Sequence, residues 1–291
     1  YSYHKKFLDT PPNWLINPFS GVTLKQKDKH WMDIKDFDTV VGDIKNIWEM
    51  SRFNWLGTLA QAHRITNNKK YLNAMNNWVS DWYRNNPDNT GPNWKCGQET
   101  SLRAINLLLA NAIIGSEKST SDIFHLLDIH VKRIYPTTFY AKSQKNNHIL
   151  SEGVALYLIG NFLFSKCKKK QYKIYSQEGL SLIEYFVKDL IMNDGSFSQY
   201  SIIYHRMILD LLSVLEIFRR ELLLDKFSKN FYTKVEKAIY WYSEMIDTIS
   251  KNSPNFGAND GTYLFNFSKM DYRDFRPTLT LASSIYNIPI N

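Results

Sequence analysis

Apolar side chains recur every three or four positions along most of this chain, a spacing that gathers them on one face of an α-helix. Residues 36–50 follow this rule, and the pattern predicts an amphipathic helix there. The same spacing predicts further helices at residues 53–63, 71–82, 99–114, 120–134, 148–164, 172–192, 201–224 and 229–250. Strand patterns are scarce, so the sequence predicts an all-α protein.

The predicted helices follow one another through short polar connections, which is typical of antiparallel helical hairpins in a bundle, a solenoid or an (α/α) toroid. No fixed sequence period is visible, which argues against the common helical repeat arrays and favours a toroid of unlike hairpins. We predict one domain in three segments: an irregular N-terminal segment at 1–35, the toroid at 36–250 and a loop-rich C-terminal cap at 251–291.

The composition narrows the class of protein. Hydrophobic residues make up 44% of the chain, enough for a sizeable core, and no run of about 18 apolar residues predicts a membrane span. Two cysteines are too few for a disulfide scaffold. The net charge of +8 points to an anionic partner, although most basic residues are scattered and the lysine cluster at 166–173 is interpreted as a solvated turn.

The first candidate site is a loop-to-helix boundary with Asn147 and His148, followed one turn later by Glu152. An amide, an imidazole and a carboxylate at a helix start can face one cleft, where exposed backbone N–H groups favour an anion. The alternative is that Asn147 only caps the helix and His148 is an ordinary residue of its first turn.

The second candidate is Tyr204, which is followed by His205 and Arg206 at the start of a long predicted helix. A phenol has a pKa near 10, so it acts as a base only where nearby cations or donors lower that pKa. The alternative is a core tyrosine with a hydrogen-bonded hydroxyl, since the chain has 18 tyrosines.

A third set combines tryptophans with charged side chains: Trp48, Arg52, Trp94, Glu99 and Arg103. Flat indole rings stack on sugar faces, and such charges bind hydroxyl and acid groups, but buried ion pairs inside a helical bundle give the same pattern. The polar coil around Asp260 is interpreted as a buried loop anchor. Neither a His-Glu-x-x-His motif nor a glycine-rich phosphate loop occurs, so no metal and no cofactor is predicted.

Six sequence runs together resemble the heparinase II/III family. They are GDIKNIWEMSRF (42–53), PNWKCGQETSLR (92–103), NNHILSEG (146–153), DGSFSQYSIIYHRMILD (194–210), PNFGANDGTYL (254–264) and YRDFRP (272–277). The resemblance covers residues 31–277 and is greatest to the branch found in bacterial surface-polysaccharide gene clusters.

The resemblance implies an incomplete (α/α) toroid that is normally followed by a β-sandwich domain, with a polysaccharide lyase site between them. It assigns an Asn–His pair that holds the substrate carboxylate to Asn147 and His148, and the proton-transferring tyrosine to Tyr204. We add His205 as a catalytic neighbour, and we expect substrate binding by Trp48, Arg52, Trp94, Glu99, Arg103, Glu152 and Arg206. The β-sandwich, which supplies a further histidine in several members, is predicted to be absent after Pro277.

The sequence thus predicts a carbon–oxygen lyase that cleaves an acidic, uronate-containing polysaccharide by β-elimination, with neither nucleic acid nor a membrane as partner. Two alternatives stay open: a glycoside hydrolase on a similar toroid, and a non-catalytic glycan-binding protein of surface-polysaccharide assembly. Because lyases of the family act on exported glycans, the resemblance implies a periplasmic or secreted location.

Overall fold

The computed structural model describes residues 9–115, 121–265 and 270–290. Its helices are α1 (Lys45–Ser51), α2 (Asn54–Thr66), α3 (Lys69–Asn85), α4 (Gly97–Ile114), α5 (Ser121–Ile134), α6 (Thr138–Gln144), α7 (Asn147–Cys167), α8 (Lys170–Leu190), α9 (Ile202–Glu221), α10 (Lys229–Glu244) and α11 (Arg276–Tyr286). Two-residue strands, β1 (Phe37–Asp38) and β2 (Gly42–Asp43), form a small antiparallel sheet. The prediction of an all-α fold built from successive helices is confirmed.

The predicted helix at 36–50 is wrong in its first half, where β1 and β2 form a hairpin and α1 begins only at Lys45. The Asp38 carboxylate accepts hydrogen bonds from the backbone N–H groups of Val40 and Val41, at 2.8 and 2.9 Å. Gly42 then adopts a φ of +87°. A side chain that bonds the backbone and a glycine with positive φ both favour a turn over a helix, whatever the apolar spacing.

Backbone contacts group the chain into two compact units, one ending at Pro136 and the other beginning at Thr137. In the first unit α4 packs against α2 and α5, and α3 packs against α2. Helix α4 is buried along most of its length, including polar residues such as Glu99, Arg103 and Asn106. This unit therefore has a polar core whose buried groups need internal partners.

In the second unit α7 and α8 form an unusually close pair. A Cβ atom at Gly160 would lie 2.7 Å from the backbone nitrogen of Ser176, and one at Gly179 would lie 2.6 Å from the carbonyl oxygen of Gly153. These distances leave no room for a side chain, so the two helices pack backbone against backbone.

Helix α7 is long and apolar enough to cross a membrane by length and composition alone. However, 78% of its most apolar window is buried inside the protein, as in the core helix of a folded domain. Such a helix is weak evidence for a span, and the sequence-based expectation of no membrane span stays a prediction.

Two helices were not predicted. Helix α6 is short, and α11 lies within the segment that we predicted to be a loop-rich cap. Pro277 was counted as a loop signal, but it occupies the first turn of α11, where a missing N–H costs nothing. Helix α11 packs against α9 and α10, so the end of the described chain contributes to the core of this unit.

One buried carboxyl group of this unit predicts a pH dependence of stability. Asp210 on α9 is 4% exposed, and burial raises its pKa to about 7, although Thr278 and Arg206 act against that shift. The folded state therefore retains a proton that the unfolded chain releases above its own pKa of about 4. The resulting stabilisation is fully present below pH 4 and is lost as the pH rises through 7.

We expect Asp210→Asn, which resembles the protonated acid, to unfold at a higher temperature than wild type at pH 8 and to keep only about a third of that advantage at pH 5, one pH unit above the pKa of the unfolded chain. The difference in unfolding free energy at pH 8 is at most about 4 kcal/mol, at about 1.4 kcal/mol per pKa unit. Asp189→Asn, at an exposed position, is the control. A difference between Asp210→Asn and wild type that does not change from pH 5 to 8 would contradict the prediction.

Candidate functional site

The first turn of α7 positions the predicted Asn–His pair. The N-cap of this helix is Asn146, whose side chain accepts a hydrogen bond from the backbone N–H of His148 at 2.9 Å. Asn147 is therefore not the cap, and the alternative that it only caps the helix is wrong. Asn147 is buried and His148 is half-buried, so the pair lies at the edge of the core.

The first turn of α9 positions Tyr204. Ser201 caps this helix by accepting a hydrogen bond from the Tyr204 backbone N–H at 3.3 Å. The Tyr204 ring is half-buried, and its hydroxyl donates a hydrogen bond to Oδ2 of Asp260 at 3.1 Å, at the protein surface. The phenol oxygen is thus accessible rather than enclosed in the core.

Two contacts bring these helix starts together. The backbone N–H of Asn147 donates to Oε1 of Gln199, just before α9, at 2.9 Å. The Asn147 side-chain amide lies 3.5 Å from the sulfur of Met207, which follows Tyr204 by one turn on the same face of α9. Asn147, His148 and Tyr204 therefore occupy adjoining helix starts; we call these three residues the Asn-His-Tyr site.

The Asn-His-Tyr site suits an anion. Helix N-termini carry partial positive charge, and α7 and α9 both begin here. The amide of Asn147 and the imidazole of His148 can each donate a hydrogen bond to a carboxylate. In the described residues, 9–115, 121–265 and 270–290, no group of three His, Cys, Asp or Glu side chains is arranged to hold a metal ion.

His205 faces away from this site, which corrects the expectation that it supplies positive charge to Tyr204. It is fully buried, with Nε2 2.9 Å from the carbonyl oxygen of Ala238 and its ring stacked on Trp241 and Tyr242 of α10. Burial lowers its pKa to about 4, so the ring is neutral at neutral pH. His205 therefore packs α9 against α10.

Arg206 is also a packing residue, which corrects its assignment to substrate binding. Its guanidinium is buried and donates to the carbonyl oxygens of Tyr272 and Thr262, at 2.7 and 3.0 Å. It also stacks against the rings of Tyr263, Tyr272 and Phe275. Arg206 therefore fastens the segment that follows α10 onto α9.

Glu152 lies on α7, one turn after His148, and is 3% exposed. Asn147, in the first turn of the same helix, is buried to the same degree, at 2%. Burial therefore does not separate the two residues, and the role of Glu152 in binding substrate stays a prediction.

The charged residues predicted in the first unit form a buried ion pair. Arg52 binds Glu99 through two hydrogen bonds, Nε to Oε2 at 2.6 Å and a terminal nitrogen to Oε1 at 2.9 Å, and it also pairs with Glu49. Trp48 is buried and donates its indole N–H to the Pro92 carbonyl oxygen at 2.9 Å. The bundle-lining alternative therefore describes these residues better than sugar binding does.

Trp94 and Arg103 are more deeply buried than Trp48 and Arg52, which corrects the expectation that they hold sugars. The Trp94 ring has no exposed surface, and the Arg103 guanidinium lies between it and Trp82. Arg103 Nε donates to Nε2 of His130 at 2.9 Å, and a terminal nitrogen donates to the Asn93 carbonyl oxygen at 2.9 Å. Arg103 therefore organises the polar core of the first unit.

Two residues near the Asn-His-Tyr site were not predicted to act there. Asp260 was interpreted as a buried loop anchor, but it is exposed and contacts the Tyr204 hydroxyl from 56 positions along the chain. Tyr200 is 65% exposed and adopts a φ of +49°, between the partner of Asn147 and the cap of α9. The positive φ of a bulky residue is a signal of a functional turn that only a structure reveals.

Comparison with known proteins gives a consistent set of relatives. The family model described as the heparinase II/III N-terminus matches residues 3–276. A heparin-sulfate lyase from Pedobacter heparinus is 26% identical over 219 residues, which cover 72% of this chain and 32% of the relative. The chain thus spans about a third of that relative's length.

Solved structures share the fold. A crystal structure of heparinase III matches with a TM-score of 0.54 and 16% identity, over 88% of this chain and 43% of that one. The heparan sulfate lyase HepC from Pedobacter heparinus matches with a TM-score of 0.50 and 23% identity, over 76% of this chain and 35% of that one. At these identities the similarity establishes the fold class alone.

Proposed function

This chain belongs to the heparinase II/III family, and from that premise we propose that it carries the Asn-His-Tyr part of a lyase site that cleaves a uronate-containing polysaccharide by β-elimination. Two of its relatives are a heparin-sulfate lyase and a heparan sulfate lyase, which supports an acidic polysaccharide as the substrate class. The net charge of +8 favours the approach of such a polyanion. Because a polymer of this kind does not cross membranes, the proposal includes action outside the cytoplasm.

The reaction begins at the carbon atom next to the uronate carboxylate. Removal of the weakly acidic proton there puts negative charge on the carboxylate, and catalysis requires donors that bind this charge more strongly in the transition state. Asn147 and His148 are such donors. Tyr204 takes the proton and then returns one to the glycosidic oxygen, which leaves as a hydroxyl.

The observation that carries the proposal is the link between the two helix starts. The contacts of Asn147 with Gln199 and Met207 hold the first turn of α7 beside the helix that presents the Tyr204 hydroxyl, and this turn is where we expect the carboxylate to bind. A β-elimination needs carboxylate donors and a proton-transfer group on neighbouring elements, whereas a hydrolase needs two accessible carboxylates.

The experiment follows ultraviolet absorbance over time with a panel of uronate-containing polysaccharides. Each elimination creates a carbon–carbon double bond conjugated to the carboxylate, so the absorbance rises with every bond cleaved. Both this chain and the full-length product of its gene are assayed, because the chain spans 32% of the curated relative. Release of reducing ends without new absorbance would overturn the proposal in favour of hydrolysis, and binding without either signal would favour a non-catalytic glycan-binding protein.

Tyr200 is the aromatic platform that we expect for the neighbouring sugar, since its ring is exposed beside the Asn-His-Tyr site. Tyr200→Ala should raise KM by about 5- to 100-fold, because stacking and burial of an aromatic ring contribute about 1–3 kcal/mol. The kcat should change by less than about threefold. Tyr185→Ala, which removes an exposed tyrosine of α8, is the matched control; an unchanged KM in Tyr200→Ala would remove Tyr200 from the site.

A further inference from the structure

Asp260 is poised to exchange a proton with the Tyr204 hydroxyl. We infer that the Asp260 carboxylate accepts the phenol proton while the phenol oxygen takes the substrate proton, so that Tyr204 acts without first becoming a free tyrosinate. This inference rests on the proposed function and adds a residue to it. The direct observation is the 3.1 Å hydrogen bond from the Tyr204 hydroxyl to Oδ2 of Asp260.

The two carboxylate oxygens of Asp260 accept hydrogen bonds from different partners. Oδ1 accepts hydrogen bonds from the backbone N–H of Thr262 at 3.0 Å and from its hydroxyl at 2.6 Å. Oδ2 is the oxygen that meets the phenol. The contacts with Thr262 fix the direction of the carboxylate, which holds a proton acceptor at the geometry that general-base catalysis requires.

The Asp260 loop, residues 255–262, is held rigidly on the start of α9. Gly257 adopts a φ of +71°, and a Cβ atom there would lie 2.7 Å from the Cα atom of Ser201, so only glycine allows this approach. The Ser201 hydroxyl donates to the Ala258 carbonyl oxygen at 2.6 Å. The residue that caps the helix of Tyr204 therefore also anchors the loop of Asp260.

Arg206 fixes the other end of the loop. Its donation to the Thr262 carbonyl oxygen, at 3.0 Å, anchors the residue that orients Asp260. A buried arginine that bonds main-chain carbonyls holds the loop even when no substrate is bound. The pairing of Tyr204 with Asp260 is thus a preformed feature of the fold, which lowers the cost of organising the site during catalysis.

The proton balance is closed. As the C–H bond of the substrate breaks, its proton goes to the Tyr204 oxygen and its electron pair forms the double bond, while the phenol proton moves to Oδ2 of Asp260. The electron pair of the glycosidic C–O bond leaves with oxygen, which takes a proton from the Tyr204 hydroxyl as Asp260 returns its own. Tyr204 and Asp260 end as they began, and the net transfer is one proton from carbon to the leaving oxygen.

The transfer of the phenol proton from Tyr204 to Asp260, which we call the relay, removes the need for a tyrosinate at the start of the reaction. An ordinary phenol has a pKa near 10, and His205, which is buried and uncharged at neutral pH, does not supply the positive charge that would stabilise a tyrosinate. A carboxylate has a pKa near 4 and is already ionised at neutral pH. Asp260 can therefore accept the phenol proton during the step, so that a free tyrosinate is not needed as the starting base.

The test compares Asp260→Asn with Asp271→Asn on the full-length protein. Both aspartates accept a backbone N–H two residues ahead, from Thr262 and Arg273 respectively, and asparagine preserves that contact. Asparagine does not accept a proton, so Asp260→Asn should reduce kcat by about 10²- to 10⁴-fold with little change in KM, while Asp271→Asn stays near wild type. Added formate should restore activity to Asp260→Ala but not to Tyr204→Phe.

A second readout does not depend on turnover. The Tyr204 phenol, labelled with ¹³C and titrated by NMR, should have a lower pKa in Asp260→Asn than in wild type, because the negative charge beside it is gone. An unchanged titration overturns the pairing itself. Full activity in Asp260→Asn overturns the relay alone, whereas absence of product from wild type overturns the proposed function and the relay with it.

Discussion

Tyr204→Phe should reduce the rate of unsaturated product formation by at least about 10³-fold. The substitution removes the hydroxyl that both accepts the substrate proton and protonates the leaving oxygen, and each positioned proton transfer contributes about 10²- to 10⁴-fold. The measurement is the initial rate of ultraviolet absorbance increase with whichever uronate polymer the wild type cleaves. The KM should change little, because the ring remains.

The fold of Tyr204→Phe should be intact. The lost hydrogen bond to Asp260 is exposed to solvent, so its contribution to stability is small, about 1 kcal/mol or less. Tyr240→Phe, at an exposed position on α10, is the matched control and should keep full activity. A Tyr204→Phe protein that retains more than a tenth of the wild-type rate would exclude Tyr204 as the proton-transfer residue.

Arg103→Ala should lower the free energy of unfolding by about 3–5 kcal/mol, the range found when one partner of a buried charged network is removed. The substitution leaves His130 and the Asn93 carbonyl oxygen without their buried donor, and it opens a cavity between the rings of Trp82 and Trp94. Urea unfolding followed by tryptophan fluorescence measures the loss directly, since two of the reporting indoles enclose the site of substitution.

The control for Arg103 is Arg64→Ala, an exposed arginine on α2, which should change stability by less than about 0.5 kcal/mol. Arg103→Lys should also destabilise the protein substantially, because an ammonium group cannot reproduce the planar stacking or the divergent hydrogen bonds. A loss below about 1 kcal/mol in Arg103→Ala would show that the buried network is not a main support of this unit.

Apolar spacing predicted the helices correctly where they are long. The prediction failed where short-range polar contacts compete with helix formation. Helices α7, α8 and α10 begin within two residues of their predicted starts, because their apolar faces span many turns. The segment before α1 folds as a hairpin because Asp38 and Gly42 act locally, and apolar spacing carries no information on such contacts.

The site was predictable only in part. The resemblance singled out Asn147 and Tyr204, and the structure sets their helix starts side by side, while their roles in catalysis stay a prediction. Trp94 was assigned to sugar binding because tryptophan beside charge gives the same pattern on a cleft and in a core, and only burial separates the two. Asp260 was not among the predicted site residues, because its contact with Tyr204 joins segments that are far apart in the chain, and a single sequence gives no signal of such a contact.

The close backbone packing at Gly160 and Gly179 makes α7 and α8 one rigid unit. Helices in such contact neither slide nor rotate past one another without collision. The positions of Asn147 and His148 are therefore fixed relative to α8. In the proposed site, the substrate carboxylate therefore has to fit the position that α7 gives to Asn147 and His148, and the pair does not move to meet it.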